Sequence, residues 1–142
     1  MNTEVSAPIY AITAERIVDD EQRSEALSRH FAHHMLKVED SIFMVMQRLV
    51  PDHHAVLWHF YELSNGGFYM APALQVVQRV RNLVAGEYRE MSADAAGLAA
   101  SLLAFRHLST QMRSDVMVRH YFQLRQFVTE HSEGKAILAA VD

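Results

Sequence analysis

Trp58-His59-Phe60-Tyr61-Glu62-Leu63-Ser64-Asn65-Gly66-Gly67-Phe68-Tyr69-Met70-Ala71-Pro72 is the stretch whose reading decides the fold. It opens in alternation. Val56, Trp58 and Phe60 fall on one face of an extended chain and Leu57, His59 and Tyr61 on the other, and β-branched and aromatic side chains suit a pleated surface. Ser64-Asn65-Gly66-Gly67 follows, and an Asn-Gly step can adopt the positive φ angles of a tight hairpin turn. Phe68-Tyr69-Met70 reads as the returning strand, closed by Pro72. Two further short strands are expected over about 75–81 and 87–91, with residues 82–86 as the turn.

Upstream, Leu27, Phe31, Met35, Val38, Ile42, Val45, Met46 and Leu49 recur in steps of three and four, which predicts one helix over about 24–49. Pro51 ends it, because proline lacks the amide proton a helix needs. Residues 1–13 carry few signals and are expected to form a flexible arm or an edge strand through Ile9-Tyr10-Ala11-Ile12. Downstream, Ser92 reads as an N-cap with Asp94 in the first turn, ahead of a stripe of Leu98, Leu102 and Phe105. Ser114-Asp115 repeats that signal before Met117, Tyr121, Leu124 and Val128. Ser132-Glu133 precedes a last short helix with Ile137, Leu138 and Val141. Strands grouped together, not alternating with helices, indicate α+β: a small antiparallel sheet of three to four strands packed with about four helices. At 142 residues the whole chain is expected to be a single domain.

Composition excludes several functions. The chain has no cysteine, which rules out disulfides, thiol catalysis and cysteine-ligated metals. Its beginning lacks a basic region followed by an apolar run, and no apolar stretch approaches the roughly 20 residues that span a bilayer. A cytoplasmic protein with no membrane partner is the expectation. The net charge of −4, from 17 acids and 13 bases, favours neither a strong nucleic-acid binder nor a protein imitating DNA. The nearest acidic cluster, Glu15, Asp19, Asp20, Glu21 and Glu25, is interrupted by Arg16 and Arg23 and reads as a solvated helix face.

Nine histidines are the oddest feature. His30 and His34, four apart on a helix, could face one ligand, yet the His-Glu-x-x-His pattern is missing, no carboxylate sits at a matching position on that turn, and the adjacent His53-His54 pair would point to opposite faces. No metal or other cofactor is therefore expected. Ser64, His59 and Glu62 form a catalytic set only on paper, and no nucleophile elbow or phosphate-binding glycine loop occurs. The chain is read as a non-enzyme. Arginine outnumbers lysine 11 to 2. Arg79, Arg81 and Arg89, with Arg113, Arg119 and Arg125, support an alternative reading as a DNA-associated accessory protein, whose binding would be weak and salt-sensitive without a net positive charge. The aromatic residues Trp58, Phe60, Tyr61, Phe68 and Tyr69 are expected to be mostly core, with one or two left at a surface that a partner could use.

The segment from Trp58 to Pro72 also resembles the central signature of the plasmid-borne antirestriction proteins of the ArdB/KlcA family. Arg29-His30-Phe31 with Met35 and Val38-Glu39, Met91-Ser92-Ala93-Asp94-Ala95-Ala96-Gly97, Arg119-His120-Tyr121 and Ala140-Val141-Asp142 are similar to family segments in the same order. Departures are local: Ala32 stands where the family pattern has Gly, His54-Ala55-Val56 where it has a Gly pair, and the turn at 82–86 lacks an Asp-Gly-Asn-like tip. The resemblance implies an inhibitor, carried by mobile elements, that protects incoming DNA from type I restriction–modification systems. Its partner would be that restriction complex, met directly or indirectly. The ArdA class of antirestriction proteins mimics DNA with dense acidity, and the balanced charge here argues for protein contacts instead. On that footing Arg29, Glu39, Trp58, Glu62 and Asn65 are the expected contact residues.

Overall fold

In the computed structural model, which describes residues 11–53 and 57–142, the chain opens with β1 (Ala14–Ile17) and α1 (Asp20–Phe31). A single 3-10 turn, Ala32–His34, leads into α2 (Met35–Leu49). Then come β2 (Trp58–Leu63), β3 (Phe68–Pro72), β4 (Gln78–Arg81), β5 (Tyr88–Met91), α3 (Ala93–Met112), α4 (Asp115–Glu130) and α5 (Gly134–Val141). Most of the expected residues 1–13, and the His54-Ala55-Val56 departure, lie outside the described residues.

The α+β class stands, with a difference in the sheet. Five strands form two antiparallel sheets, β1-β2-β3 and β4-β5, where one sheet of three to four strands was expected. The cause is at the outer edge of β3. Ser101 of α3 sends its hydroxyl there, accepting from the Met70 amide at 3.2 Å and donating to the Met70 carbonyl at 3.3 Å. A fourth strand finds that edge closed. The β2–β3 register runs from Trp58 opposite Pro72 to Glu62 opposite Phe68, as the hairpin reading requires. Strand β1, unforeseen, pairs with β2 through Ala14–Leu63 to Ile17–Phe60, and of its four residues only Ile17 is buried.

The expected helix over 24–49 is two helices. Its apolar stripe persists in both, with Leu27, Phe31, Val38, Ile42, Met46 and Leu49 buried, but the backbone breaks at Ala32. There φ is 51° and ψ −131°, a conformation that a side chain strains and that the Gly of the family pattern would adopt freely. Periodicity survives because both helices bury the same face. The acidic cluster is divided too: Glu15 lies on β1, the Asp19 carboxylate caps α1 through the Glu21 amide, and Asp20 pairs with Arg23. It is not one helix face.

Helix α3 is the centre of the molecule, alanine-rich and buried along most of its length. Gly97 explains how it lies so near the sheet: a Cβ there would collide with the Cα and Cβ of Ala71 and with the Met70 carbonyl oxygen. Phe31, Phe68 and Phe105 meet beneath it at ring separations of 5.4 and 5.7 Å. Burial of each ring contributes about 1.5–3 kcal/mol, more than the roughly 1 kcal/mol of an edge-to-face pair. Area, not ring geometry, dominates this core. Ser92 and Ser114 cap α3 and α4 through the Ala95 and Met117 amides, as expected. Among the described residues no helix is long and apolar enough to cross a membrane.

Candidate functional site

Alternation along β2 sends Trp58, Phe60 and Glu62 to one face of the sheet, toward α1 and α2. Trp58 is core, 9% exposed and 5.0 Å from the Phe43 ring. Glu62, near the end of β2, meets the last turn of α1. Its carboxylate accepts from the Arg29 guanidinium at 2.5 Å and from His30 Nε2 at 2.7 Å. Burial alone would raise the Glu62 pKa, but the hydrogen bonds and charges of Arg29 and His30 outweigh it and hold that carboxyl below the usual range. The His30 ring also packs on Phe68 at 5.5 Å and on the buried His120 at 5.1 Å. Desolvation, helped by the charges of His30 and Arg119, pushes the His120 pKa down to about 4, so its imidazole is neutral near pH 7.

Asn65 works at the hairpin tip. Its Oδ1 accepts from the Gly67 amide at 3.0 Å while its Nδ2 donates to the Gln123 carbonyl of α4 at 2.9 Å. Gln123 Nε2 answers by donating to the Asn65 carbonyl at 2.9 Å, and Gly66 between them has a φ of 92° that side chains rarely adopt. The turn is clasped, not free. Glu39 lies apart on α2, half-buried, with its pKa raised by desolvation and by Asp40. Of the five expected residues, therefore, Arg29 and Glu62 are brought together, Asn65 anchors the turn on α4, and Trp58 and Glu39 take other surroundings.

No catalytic set forms from Ser64, His59 and Glu62. Ser64 accepts from the Thr13 amide, His59 faces Arg16 at 3.4 Å, and Glu62 holds Arg29 and His30. His30 and His34 do not share a ligand direction either; His34 stacks beside His33 with ring centroids 3.9 Å apart. Among the described residues no three metal-ligating side chains converge. Of the arginine stripes, Arg79 lies over the Tyr88 ring at 4.2 Å and Arg125 grips Asp142 at 2.9 Å.

A second polar cluster was missed. On the opposite face of the sheet Tyr61 stacks on Tyr69 at 4.6 Å, and Tyr69 in turn stacks on Phe127 of α4. The Tyr69 hydroxyl donates to Asp94 at 2.7 Å, with burial and the carboxylate both raising its pKa. His131 Nδ1 accepts from the Glu133 amide, which leaves the proton on Nε2 to donate to Asp94 at 3.0 Å. That bond raises the His131 pKa against the opposing pull of desolvation. Glu133 itself takes the Ser92 hydroxyl and amide. Asp94 was legible only as a first-turn acid, and nothing in the spacing of His131 marked it. Tyr61 and His59 remain half-exposed on this face, beside Arg16.

Comparison with known proteins places this geometry. A family model described as "Antirestriction protein" matches residues 51–142. The antirestriction protein KlcA of Escherichia coli is 37% identical, covering 99% of this chain and 99% of its own length. The uncharacterised protein YafX of Escherichia coli K12 is 36% identical over 88% of this chain and 85% of its own. A solved chain from work on the KlcA and ArdB proteins superposes with a TM-score of 0.86 at 34% identity, covering 97% of this chain and all of that one. For those proteins a novel fold is described, with antirestriction activity against type I DNA restriction systems in vivo but not in vitro.

Proposed function

The chain belongs to the ArdB/KlcA family of antirestriction proteins, and we propose from that premise that it inhibits type I restriction–modification systems through protein contacts, protecting incoming mobile DNA without imitating it. The observation that carries the contact reading is where the carboxylates go. Glu62 is engaged by Arg29 and His30, Asp94 by Tyr69 and His131, Glu133 by Ser92, Asp142 by Arg125, and Glu130 by the Ile12 amide. A surrogate for duplex DNA needs free acids at about one per 1.7 Å of axis, and these five of the chain's 17 acids are withheld from any such row. Of the six arginines on which the nucleic-acid reading rests, Arg79 and Arg125 already have partners within the chain.

Activity in vivo but not in vitro, described for the solved relatives, fits an inhibitor that meets a working state of the restriction complex and not its resting form. In this reading Arg29, Glu62 and Asn65 act as one preorganised edge, Glu39 as a separate contact, and Trp58 as the packing that holds β2 in place. Phage plating tests it. Cells carrying a type I restriction system should plate unmodified phage better when they make this protein, and unchanged restriction in cells with soluble protein would sink the proposal. Loss of protection in Arg29→Ala or Glu39→Gln at unaltered melting temperature would assign those residues to contact. Tight DNA binding that falls steeply with salt would favour the nucleic-acid reading instead.

A further inference from the structure

Helix α2 has a second face that the core uses only in part, through Val45. Lys37, Asp40, Ser41, Met44, Val45 and Arg48 recur in steps of three and four over three turns and form one wall of a groove of about 1080 Å³. Leu103, Arg106, His107 and Gln111 of α3 form the other wall, and Leu83 from the β4–β5 turn also lines it. Its floor is apolar and open to solvent, with Met44 56% exposed and Leu83 40%. Val45 and Leu103 are half-buried between these two, and methionine adapts its shape to what it meets.

The rim carries a sign. Lys37, Arg48 and Arg106 stand against the single carboxylate Asp40, on a protein whose net charge is −4. Arg106 is partly occupied, 4.0 Å from Asp142, whereas Lys37 and Arg48 make no ion pair among the described residues. An acidic partner is repelled by the molecule at large and attracted here. The α2 wall from Lys37 to Arg48 spans three helical turns, about 16 Å at the rise of an α-helix, which matches a three-turn helix lying in the trough between two others.

We propose that the α2–α3 groove binds an amphipathic helix whose apolar stripe is flanked by carboxylates, presented by the restriction machinery. The identity of that partner rests on the antirestriction reading; the groove and its preference do not. The apolar stripe would lie on Met44, Val45 and Leu103, with its carboxylates reaching Lys37 and Arg48 at the rim.

The test has two arms. In the first, fluorescence anisotropy follows a labelled, designed 18-residue helical peptide with a leucine stripe flanked by glutamates, added to the full chain. Binding should weaken by about tenfold or more in Met44→Glu/Arg48→Glu, weaken with added salt, and vanish for the counterpart peptide with lysines in place of glutamates. No binding, or equal binding by the variant or by the lysine peptide, overturns the proposal. So does light scattering that finds a dimer of the wild type lost in the variant, which would make the occupant a second copy. In the second arm, the variant, matched to wild type in melting temperature, should lose protection in phage plating. Protection by both proteins overturns the groove's role and leaves the antirestriction reading standing, while protection by neither refutes that reading and leaves the peptide arm to decide the groove.

Discussion

The two hairpins end in the same device. At the first tip the Asn65 amide donates to the Gln123 carbonyl of α4 while its oxygen accepts from the turn; at the second, Asn82 donates to the Ala139 carbonyl of α5 at 2.9 Å and accepts from the Val84 and Ala85 amides. Their bodies differ. Strand β3 is buried at every position, sealed along its edge by Ser101 and pressed by Gly97, whereas β4 and β5 bury only Gln78, Val80 and Met91. An asparagine clamp fixes where a hairpin docks; what lies behind the strands decides how much the docking is worth.

The sharpest way to break that comparison is to add a methyl behind the first hairpin and bulk at the exposed tip of the second. Gly97→Ala should destabilise the fold by about 3 kcal/mol, because backbone, not a flexible side-chain end, occupies the space its methyl needs. Ala85→Val, at the exposed second tip, should change stability by less than about 0.5 kcal/mol. Urea unfolding of both variants reads the contrast, and similar shifts would refute it. The clamps come next. Asn65→Ala should cost about 2 kcal/mol and Asn82→Ala about 1 kcal/mol, since the amide stranded at the first tip is part-buried while those at the second can turn to water. Equal losses would mean that burial does not set the value of the clamp.

A reference outside both hairpins is Ala32. Its positive φ should make Ala32→Gly more stable by about 1 kcal/mol, the relieved strain exceeding the extra backbone entropy of glycine; a lower melting temperature would show that the bend is unstrained. The smallest effect concerns Glu62. Its folded pKa lies below the unfolded one, so its stabilisation is complete above the ordinary carboxylate range and fades as pH falls through the lowered value. Melting temperature should therefore drop less steeply with acid in Glu62→Gln than in the wild type, by an amount under about 1 kcal/mol for so exposed a cluster.

Much of the architecture was legible because it is written in local signals. The Ser92 and Ser114 caps, the aromatic alternation of β2 and the Asn-Gly turn each act within a few residues, and each is where it was expected. Strand β1 was not legible: Ala14-Glu15-Arg16-Ile17 buries one side chain and exists because β2 offers it an edge. The break at Ala32 was hidden for the opposite reason, since an alanine in an unbroken apolar stripe looks like helix. Arg29 and Glu62 were each singled out, yet their meeting across 33 positions in sequence depends on how α1 crosses the sheet. Asp94 and His131 were beyond reach for the same reason, being joined only by the packing of α4 on the hairpin.

The seal that Ser101 places on β3 has a consequence in time. Met70 and Ser101 are 31 positions apart, so the edge of an apolar strand is complete before the residue that closes it has been made. At a synthesis rate of about 5–20 residues per second, Phe68-Tyr69-Met70 waits roughly 2–6 seconds on the ribosome with its amides and carbonyls open to any neighbouring strand. Chains arrested short of α3 should accordingly pellet from lysates that leave chains arrested beyond it in solution. Helix α3 is thus a late guard as well as a core element, and the growing chain is at its most adhesive just before that helix arrives.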